Sequence, residues 1–435
     1  MSLFGSLTAA ISGLTAQSRA LGDISDNVAN SQTIGFKRVD TSFTSYITES
    51  SATVNEPGAV VARPDYTNTI QGTIQQSENS LALAISGQGF FSVAASTGTA
   101  NGLPTFDYRQ FFTRAGDFKL DRDGYMVNGS GYYLRGWPVD SAGNPDRTTL
   151  TPIRVNQQVF NPVATKQVDF TANLPSGSAN GATYTTQAEV YDSLGTKHPV
   201  NLSFSKTAAD TWTLDINVPD DVSAAARGTV SLQFGAAATP PATGGTLGSF
   251  SSATGSITPP ATNAQGDPAN LTFTADFGQG PQTVSLALGQ FGLSQGMTQY
   301  DTAEFAVRNN IQDGVPLGAY SGLTLRQNGD VVVNYDNGQS RVLARVPLVA
   351  FNDPELLQRL DGQAFMRTPE SGEARVTDAA SNGVGKLVTG SVESSNVDIA
   401  SEFTKLIVAQ RAYSANTKIV STTDEMLQDT INMRR

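Results

Sequence analysis

Two stretches at opposite ends of this chain read as long amphipathic helices, and nearly everything between them reads as β. That arrangement restricts the fold more than any other feature. Isolated helices are marginal in water, with nucleation costing a factor of about 10³, so both ends need a partner. In residues 1–30, Leu3, Leu7, Ala10, Leu14, Gln17, Leu21, Ile24 and Val28 recur at alternating steps of four and three, the seam of a coiled coil. In residues 396–435 the series is Ile399, Phe403, Leu406, Gln410, Tyr413, Thr417, Val420, Asp424, Leu427 and Ile431, more polar than the first. Ile407, Val408, Ile419 and Met426 widen its apolar stripe.

The plainest outcome is an intramolecular hairpin that buries both stripes on each other. Against it, Phe4, Ile11 and Ala16 broaden the first stripe, whose charges are limited to Arg19, Asp23 and Asp26. One partner helix would leave apolar surface uncovered, and such patches usually mean assembly. Copies that meet through unlike surfaces build an open helical filament. Leu3, Leu7, Ala10, Leu14, Leu21, Ile24 and Val28, with Ile399, Phe403, Leu406, Tyr413, Val420, Leu427 and Ile431, are the candidate polymerisation residues.

A length of 435 residues exceeds what one core usually holds, so two or three domains are expected. Charged residues make up only 15% and the net charge is −11, which argues against nucleic acid as a partner. With no cysteine, disulfides and thiolate zinc sites are excluded. The first residues lack the basic start and continuous apolar block of a secretory signal, and no run approaches the ~18 apolar residues of a membrane helix. No membrane insertion is expected.

Between the helices the pattern is nested. Residues 31–80 and 376–395 read as an extended connector with little core, at most a short hairpin, because Pro57, Pro64 and many Ser/Thr interrupt any alternation. Segments 81–150 and 291–375 share short apolar runs punctuated by Asp123-Gly124, Asn128-Gly129, Asp313-Gly314, Asn328-Gly329 and Asn337-Gly338, which are turn signals. They are expected to form one discontinuous inner β domain. Residues 151–290 form an outer, inserted β domain, with 236–268 a surface loop or disordered tip. The fold class is thus mainly β with terminal α-helices, in two nested β domains and a helical coiled-coil domain made from both ends.

No constellation for catalysis emerges. His198 is the single histidine and is expected at a strand start. Asp121-Arg122-Asp123-Gly124 resembles the opening of a calcium loop but lacks the downstream bidentate Glu, leaving a β-turn. Gly87-Gln88-Gly89 is not followed by a helix or Lys-Ser/Thr, so it is no phosphate loop. Asp424-Glu425 reads as a solvated helix face. No cofactor or metal is expected, and the chain does not read as an enzyme.

Asn27-Val-Ala-Asn30-Ser-Gln-Thr33-Ile-Gly35-Phe36-Lys37-Arg38 resembles the N-terminal signature of the flagellar rod, hook and hook-associated axial proteins. Asn396-Val397-Asp398, Gln410-Arg411 and Asn416 lie in segments that resemble the C-terminal signature of that family, and Ile85 to Phe91, Thr113 to Gly116 and Gly383 to Leu387 match its inner β segments. The resemblance covers roughly half of the chain, and the size and position of the insert favour the family's hook members. It implies a subunit exported by the flagellar type III export apparatus and located outside the cell in the flagellum. It implies a homopolymer growing beneath the hook cap into a curved hollow tube, with the helices around the channel, between distal rod and hook–filament junction proteins. The tube would pass torque as a universal joint. In that setting the 31–75 connector is expected to decouple the helices from the outer domains, with Gly35, Pro57 and Pro64 shaping it and Phe36, Phe43 and Tyr46 anchoring it on neighbouring copies. A distal rod or junction member of the family is the near alternative. A secreted β-rich adhesin, with Tyr125, Tyr132, Tyr133 and Trp137 stacking on sugars, is the alternative from another class.

Overall fold

The computed structural model of the chain describes residues 3–50, 55–140, 143–223 and 225–433, with the side chains of 3–4, 48–50 and 55–57 outside that description. Two compact units divide it. The first is Met1–Gln157, Ser321–Asn334 and Ser340–Arg435; the second is Gln158–Tyr320 with Tyr335–Gln339.

In the first unit, α1 (Leu3–Ala29) and α2 (Ile399–Asn432) run antiparallel. Asp398 caps α2, its carboxylate accepting from the Ala400 and Ser401 amides, which satisfies donors that a helix start leaves without partners. After α1 the chain does not wander as an extended connector. It forms a ribbon of β1 (Val39–Ser50) and β2 (Asn55–Tyr66), antiparallel along most of their length. The ribbon lies along α1: Val60 N–H donates to Ser12 Oγ (3.1 Å), Arg19 Nη1 to Ala62 O (3.3 Å) and Thr41 Oγ1 to Asp23 (2.5 Å). Pro57 and Pro64 are tolerated because each strand of a two-stranded ribbon is an edge strand. The outgoing and returning chain are then stitched together, Ile74–Gln76 pairing with Ser391–Glu393 and Leu83–Ser86 with Lys386–Thr389.

The inner sheet is built around Phe90–Ala100, flanked by Tyr132–Pro138 on one side and Phe111–Thr113 on the other. Leu348–Ala350 pairs with Phe90–Ala100, and Ala364–Met366 with Phe111–Thr113. Its core contains Ile85, Phe91, Val93, Phe118, Met126, Leu134, Val331 and Leu348. The apolar run from Ile85 to Val93 is two strands rather than one, because Gly87 and Gly89 take φ of +107° and +126° between them, a region glycine enters without penalty. The tyrosines proposed as a sugar platform belong to this packing: Tyr125, Tyr133 and Phe106 meet edge to face at 5.1–5.8 Å, Tyr132 lies 5.9 Å from Phe111, and Trp137 is buried.

The second unit is a β-sandwich. One sheet orders Pro268–Asp276, Pro281–Gln290, Gln167–Asn173 and Ala306–Gln312; the other runs Thr183–Tyr191, Lys197–Ala208, Thr211–Asn217, Ala226–Phe234 and Leu247–Ser251. Strict alternation of buried and half-buried residues along Thr211–Asn217 shows one face packed. Phe170, Phe204, Trp212, Phe234, Phe273 and Phe291 fill the interior. Two expectations need correcting. The insert does not end at 290, because Ala306–Gln312 pairs with Gln167–Asn173. Residues 236–268 are not simply a loop, because Leu247–Ser251 is a strand of the five-stranded sheet. His198 does lie at a strand start, between Asp192 and Asp220 and stacked on Phe277.

Candidate assembly site at the chain termini

The seam between α1 and α2 is not the leucine stripe. Asn27 Nδ2 donates to Glu402 Oε2 (3.1 Å), and a Cβ on Gly13 would stand 2.9 Å from Nδ2 of Asn416. Stepping by seven in this antiparallel register places Ala20 opposite Ala409 and Ser6 opposite Thr423. Ala20, Asn27, Glu402, Ala409 and Thr423 are all buried. The contact line is therefore small and polar, and small residues let two helix axes approach closely.

The expected seam residues fall to either side. Ala10 and Ile24 are buried, whereas Leu7, Leu14, Leu21 and Val28 are half-buried; Leu3 lies outside the described side chains. On α2, Leu406, Val420 and Leu427 are half-buried and Ile399, Phe403, Tyr413 and Ile431 are exposed. The α2 seam lies one position earlier than the hydrophobic spacing predicts: Glu402, Ala409, Asn416 and Thr423 immediately precede Phe403, Gln410, Thr417 and Asp424. Ile407, Val408, Ile419 and Met426 are exposed as well. The intramolecular pair thus leaves most of its large apolar side chains uncovered.

The motif residues do a different job: they tie the helices to the β body through buried polar contacts. Asn27 Nδ2 donates to Val39 O (2.8 Å) and its Oδ1 accepts from Val39 N–H (2.9 Å), mimicking a strand partner for the start of β1. Asn30 Nδ2 donates back to Asp26, and Thr33 Oγ1 donates to Asn30 Oδ1 (3.1 Å). Asn396 Oδ1 accepts from Arg38 N–H (2.7 Å), while its Nδ2 donates to Thr67 O and Ile70 O. Val397 is half-buried beside it. Gly35 holds φ +70° with Ala115 N only 2.5 Å from where a Cβ would stand. Phe36 is buried in its own chain, so it does not anchor on a neighbour; Phe43 and Tyr46 are exposed. Gln410 and Arg411 are exposed on α2, and Asn416 is half-buried at the seam.

At the centre of this knot sits Glu393, a residue that local pattern reading passed over. Its carboxylate is wholly buried and accepts from Lys37 Nζ (2.5 Å), Arg114 Nη1 (3.0 Å) and Gly72 N–H (2.9 Å). Its backbone oxygen accepts from Gly35 N–H (2.8 Å). Lys37 also donates to Ile70 O, and Arg114 to Gly87 O. Burial pushes the Lys37 ammonium below its usual pKa despite the opposing pull of Glu393, and pushes Arg114 down likewise. Two cations on one carboxylate leave a net buried charge, which is costly to hold. Beside the helices, Lys405 bridges Asp40 and Glu402. Burial would lower its pKa, but the hydrogen bonds it donates to both carboxylates, with their negative charge, outweigh this and hold it raised. Among the described residues no cluster of three or more metal-ligating side chains occurs. No described helix is long and apolar enough to cross a membrane.

The family described as “Flagella basal body rod protein” matches residues 7–37, “Flagellar basal body protein FlaE D2 domain” matches 140–315, and “Flagellar basal body rod FlgEFG protein C-terminal” matches 388–433. The flagellar hook protein FlgE of Brucella suis is 32% identical over 441 residues, covering 100% of both chains. That of Salmonella typhimurium is 30% identical over 99% of this chain and 100% of its own. A crystal structure of Helicobacter pylori flagellar hook protein FlgE2 aligns at a TM-score of 0.48 and 14% identity, over 72% of this chain and 98% of that one.

Proposed function

This chain belongs to the flagellar hook protein family, and on that premise we propose how its parts serve a structural subunit of the flagellar hook. The terminal helices are the polymerisation elements, and the subunit assembles with copies of itself into a curved hollow tube outside the cell. The observation that carries this reading is the uncovered apolar surface of α2, where Phe403, Val408, Met426 and Ile431 are each more than half exposed in a chain whose two helices already pack on each other. Surface of that kind on a paired helix has use only against another molecule.

The tube works as a universal joint between distal rod and hook–filament junction proteins, grown beneath the hook cap from subunits delivered by the flagellar export apparatus. Bending in every direction requires cohesion in one layer and sliding in another. The helices supply the first. The β surfaces, poor in charge and rich in Ser, Thr, Asn and Gly, supply the second through adaptable or water-mediated contacts. The β1–β2 ribbon is a stiffening rib fixed to α1 by Ser12, Arg19 and Asp23, so it does not decouple the helices from the β body. As a structural subunit the chain does no chemistry of its own.

Electron microscopy of the assembled protein beside a version lacking residues 1–30 and 396–435 tests the assignment. Curved hollow tubes from the intact chain alone are expected. Tubes from the truncated chain would overturn it.

A further inference from the structure

The two apolar flanks of the helix pair are not equivalent, and each lies on its own side. On α1 successive residues turn by about 100°. Ser12 and Arg19 face the β1–β2 ribbon, Gly13 and Ala20 face α2, and Leu14 and Leu21 come next. Ser12 and Leu14 therefore point nearly opposite ways, as do Arg19 and Leu21. The leucine stripe Leu7, Leu14 and Leu21 occupies the side away from the ribbon, half-buried and without a charge among its members.

On the ribbon side the pair leaves a groove of about 460 Å³ between β1 and α2. Its apolar lining includes Ala20, Ile24, Val39, Phe43, Val408 and Ala409. The groove is continuous with the α1–α2 seam, because the small seam residues Ala20 and Ala409 line both. Phe43 (46% exposed) and Val408 (62%) form its rim. Asp23, Asp40 and Lys405 also line it, but these charges have partners within the chain: Asp23 accepts from Thr41, and Asp40 is paired with Lys405. With its charges paired within the chain and an apolar floor and rim, the groove suits bulky neutral side chains. Small-molecule pockets fall in the same range, about 300–1,000 Å³, but the family to which this chain belongs forms homopolymers, and the chain carries a neutral stripe of large residues on its opposite side.

We propose that the α1 leucine stripe of one subunit seats in the β1–α2 groove of the next. The inference rests on the assembly reading above and specifies which faces meet. The contact is heterologous, because groove and stripe are different surfaces, and repeated contacts of that kind propagate as a helix instead of closing into a dimer. It also accounts for the displaced hydrophobic periodicity. Leu7, Leu14 and Leu21 flank the intramolecular contact line and are half-buried in the single chain, so the contact with another copy would cover the surface they still expose.

The absence of native cysteine makes the pairing directly readable. Leu14→Cys and Val408→Cys, made separately and together, place thiols on the stripe and on the groove rim. The two positions lie on opposite sides of one helix pair, so a disulfide, whose Cα atoms must come within about 7 Å, has to join two copies. Full-length protein is assembled, its tubes are confirmed by electron microscopy, and it is oxidised with diamide. The expected result is a ladder of dimers, trimers and larger covalent species from the double variant, and dimers only from a mixture of the two single variants. Tubes that give no cross-link, or dimers from Leu14→Cys alone, would overturn the pairing while leaving the assembly reading intact. If the unmodified chain forms no tubes under the same conditions, both fall. Leu14→Ser and Val408→Ser, assembled in parallel, separate loss of the contact from loss of fold: each should keep the monomer's helical circular dichroism while slowing tube growth.

Discussion

Glu393 is the point at which the account is most exposed. Its carboxylate holds Lys37, Arg114 and the Gly72 amide at 2.5, 3.0 and 2.9 Å with no access to solvent. Glu393→Ala leaves two buried cations facing each other without an anion. Removing one partner of a buried ion pair costs about 3–5 kcal/mol, and the orphaned Gly72 donor adds about 1–3 kcal/mol. That sum is comparable to the entire stability of a typical domain, about 5–15 kcal/mol. Lys37→Met should behave quite differently. It removes the excess cation, leaves Arg114 and Glu393 as a one-to-one pair, and costs the Ile70 carbonyl one of its two donors while Asn396 Nδ2 stays, for about 0.5–1.5 kcal/mol. The chain has two tryptophans, Trp137 in the first unit and Trp212 in the second. In a Trp212→Phe background, urea unfolding followed by Trp137 fluorescence reports the first unit alone. Glu393→Ala should lower its midpoint far more than Lys37→Met. Equal effects, or the reverse order, would refute the idea that one carboxylate carries the joint.

Other outcomes follow from the same geometry. Gly35→Ala forces a Cβ onto φ +70° within 2.5 Å of Ala115 N, costing at least about 1–2 kcal/mol, and should lower the melting temperature in differential scanning calorimetry. Gly13→Val drives a branched side chain into Asn416; hydrogen exchange along α2 should accelerate while the β core stays protected. Because the Lys405 pKa is raised above 10.5, its contribution is complete below that pH and lost as pH climbs through the folded value. Helical circular dichroism should therefore fall more steeply above pH 10.5 in the parent chain than in Lys405→Met.

Much of the architecture was legible because it depends on local pattern. Alternation along Trp212 to Val218 and 3.6-residue periodicity at the termini announce their own elements, and the Asp-Gly and Asn-Gly pairs at 123, 128, 328 and 337 announce turns, whereas Asp313-Gly314 lies in extended chain after a strand. The ribbon was underestimated because Pro57 and Pro64 suppress the strand signal in a central strand but not at an edge. The helix seam was misplaced for a more instructive reason. Periodicity finds the face that carries the largest apolar side chains, and on this chain that face lies beside the helix–helix contact line, with several of its α2 members exposed. The intramolecular seam uses Asn27, Ala20, Glu402 and Ala409, which pattern reading counts as polar or small. Asn27 and Glu402 become recognisable as partners only when residues 375 positions apart are brought together. Glu393 was invisible for the same reason: its partners Lys37 and Arg114 lie 356 and 279 residues away.

The central claim is that the large apolar side chains of α2 serve contacts between copies and not the fold of one. Phe403→Ser, Val408→Ser and Met426→Ser together test it, since all three side chains are more than half exposed in the single chain. Exposed substitutions usually change stability by no more than about 0.5 kcal/mol each. Calorimetry and electron microscopy on the same preparation form the decisive measurement. The account predicts a monomer that melts as the parent does and builds no tubes. Tubes of normal length, or a monomer that no longer folds, would contradict it.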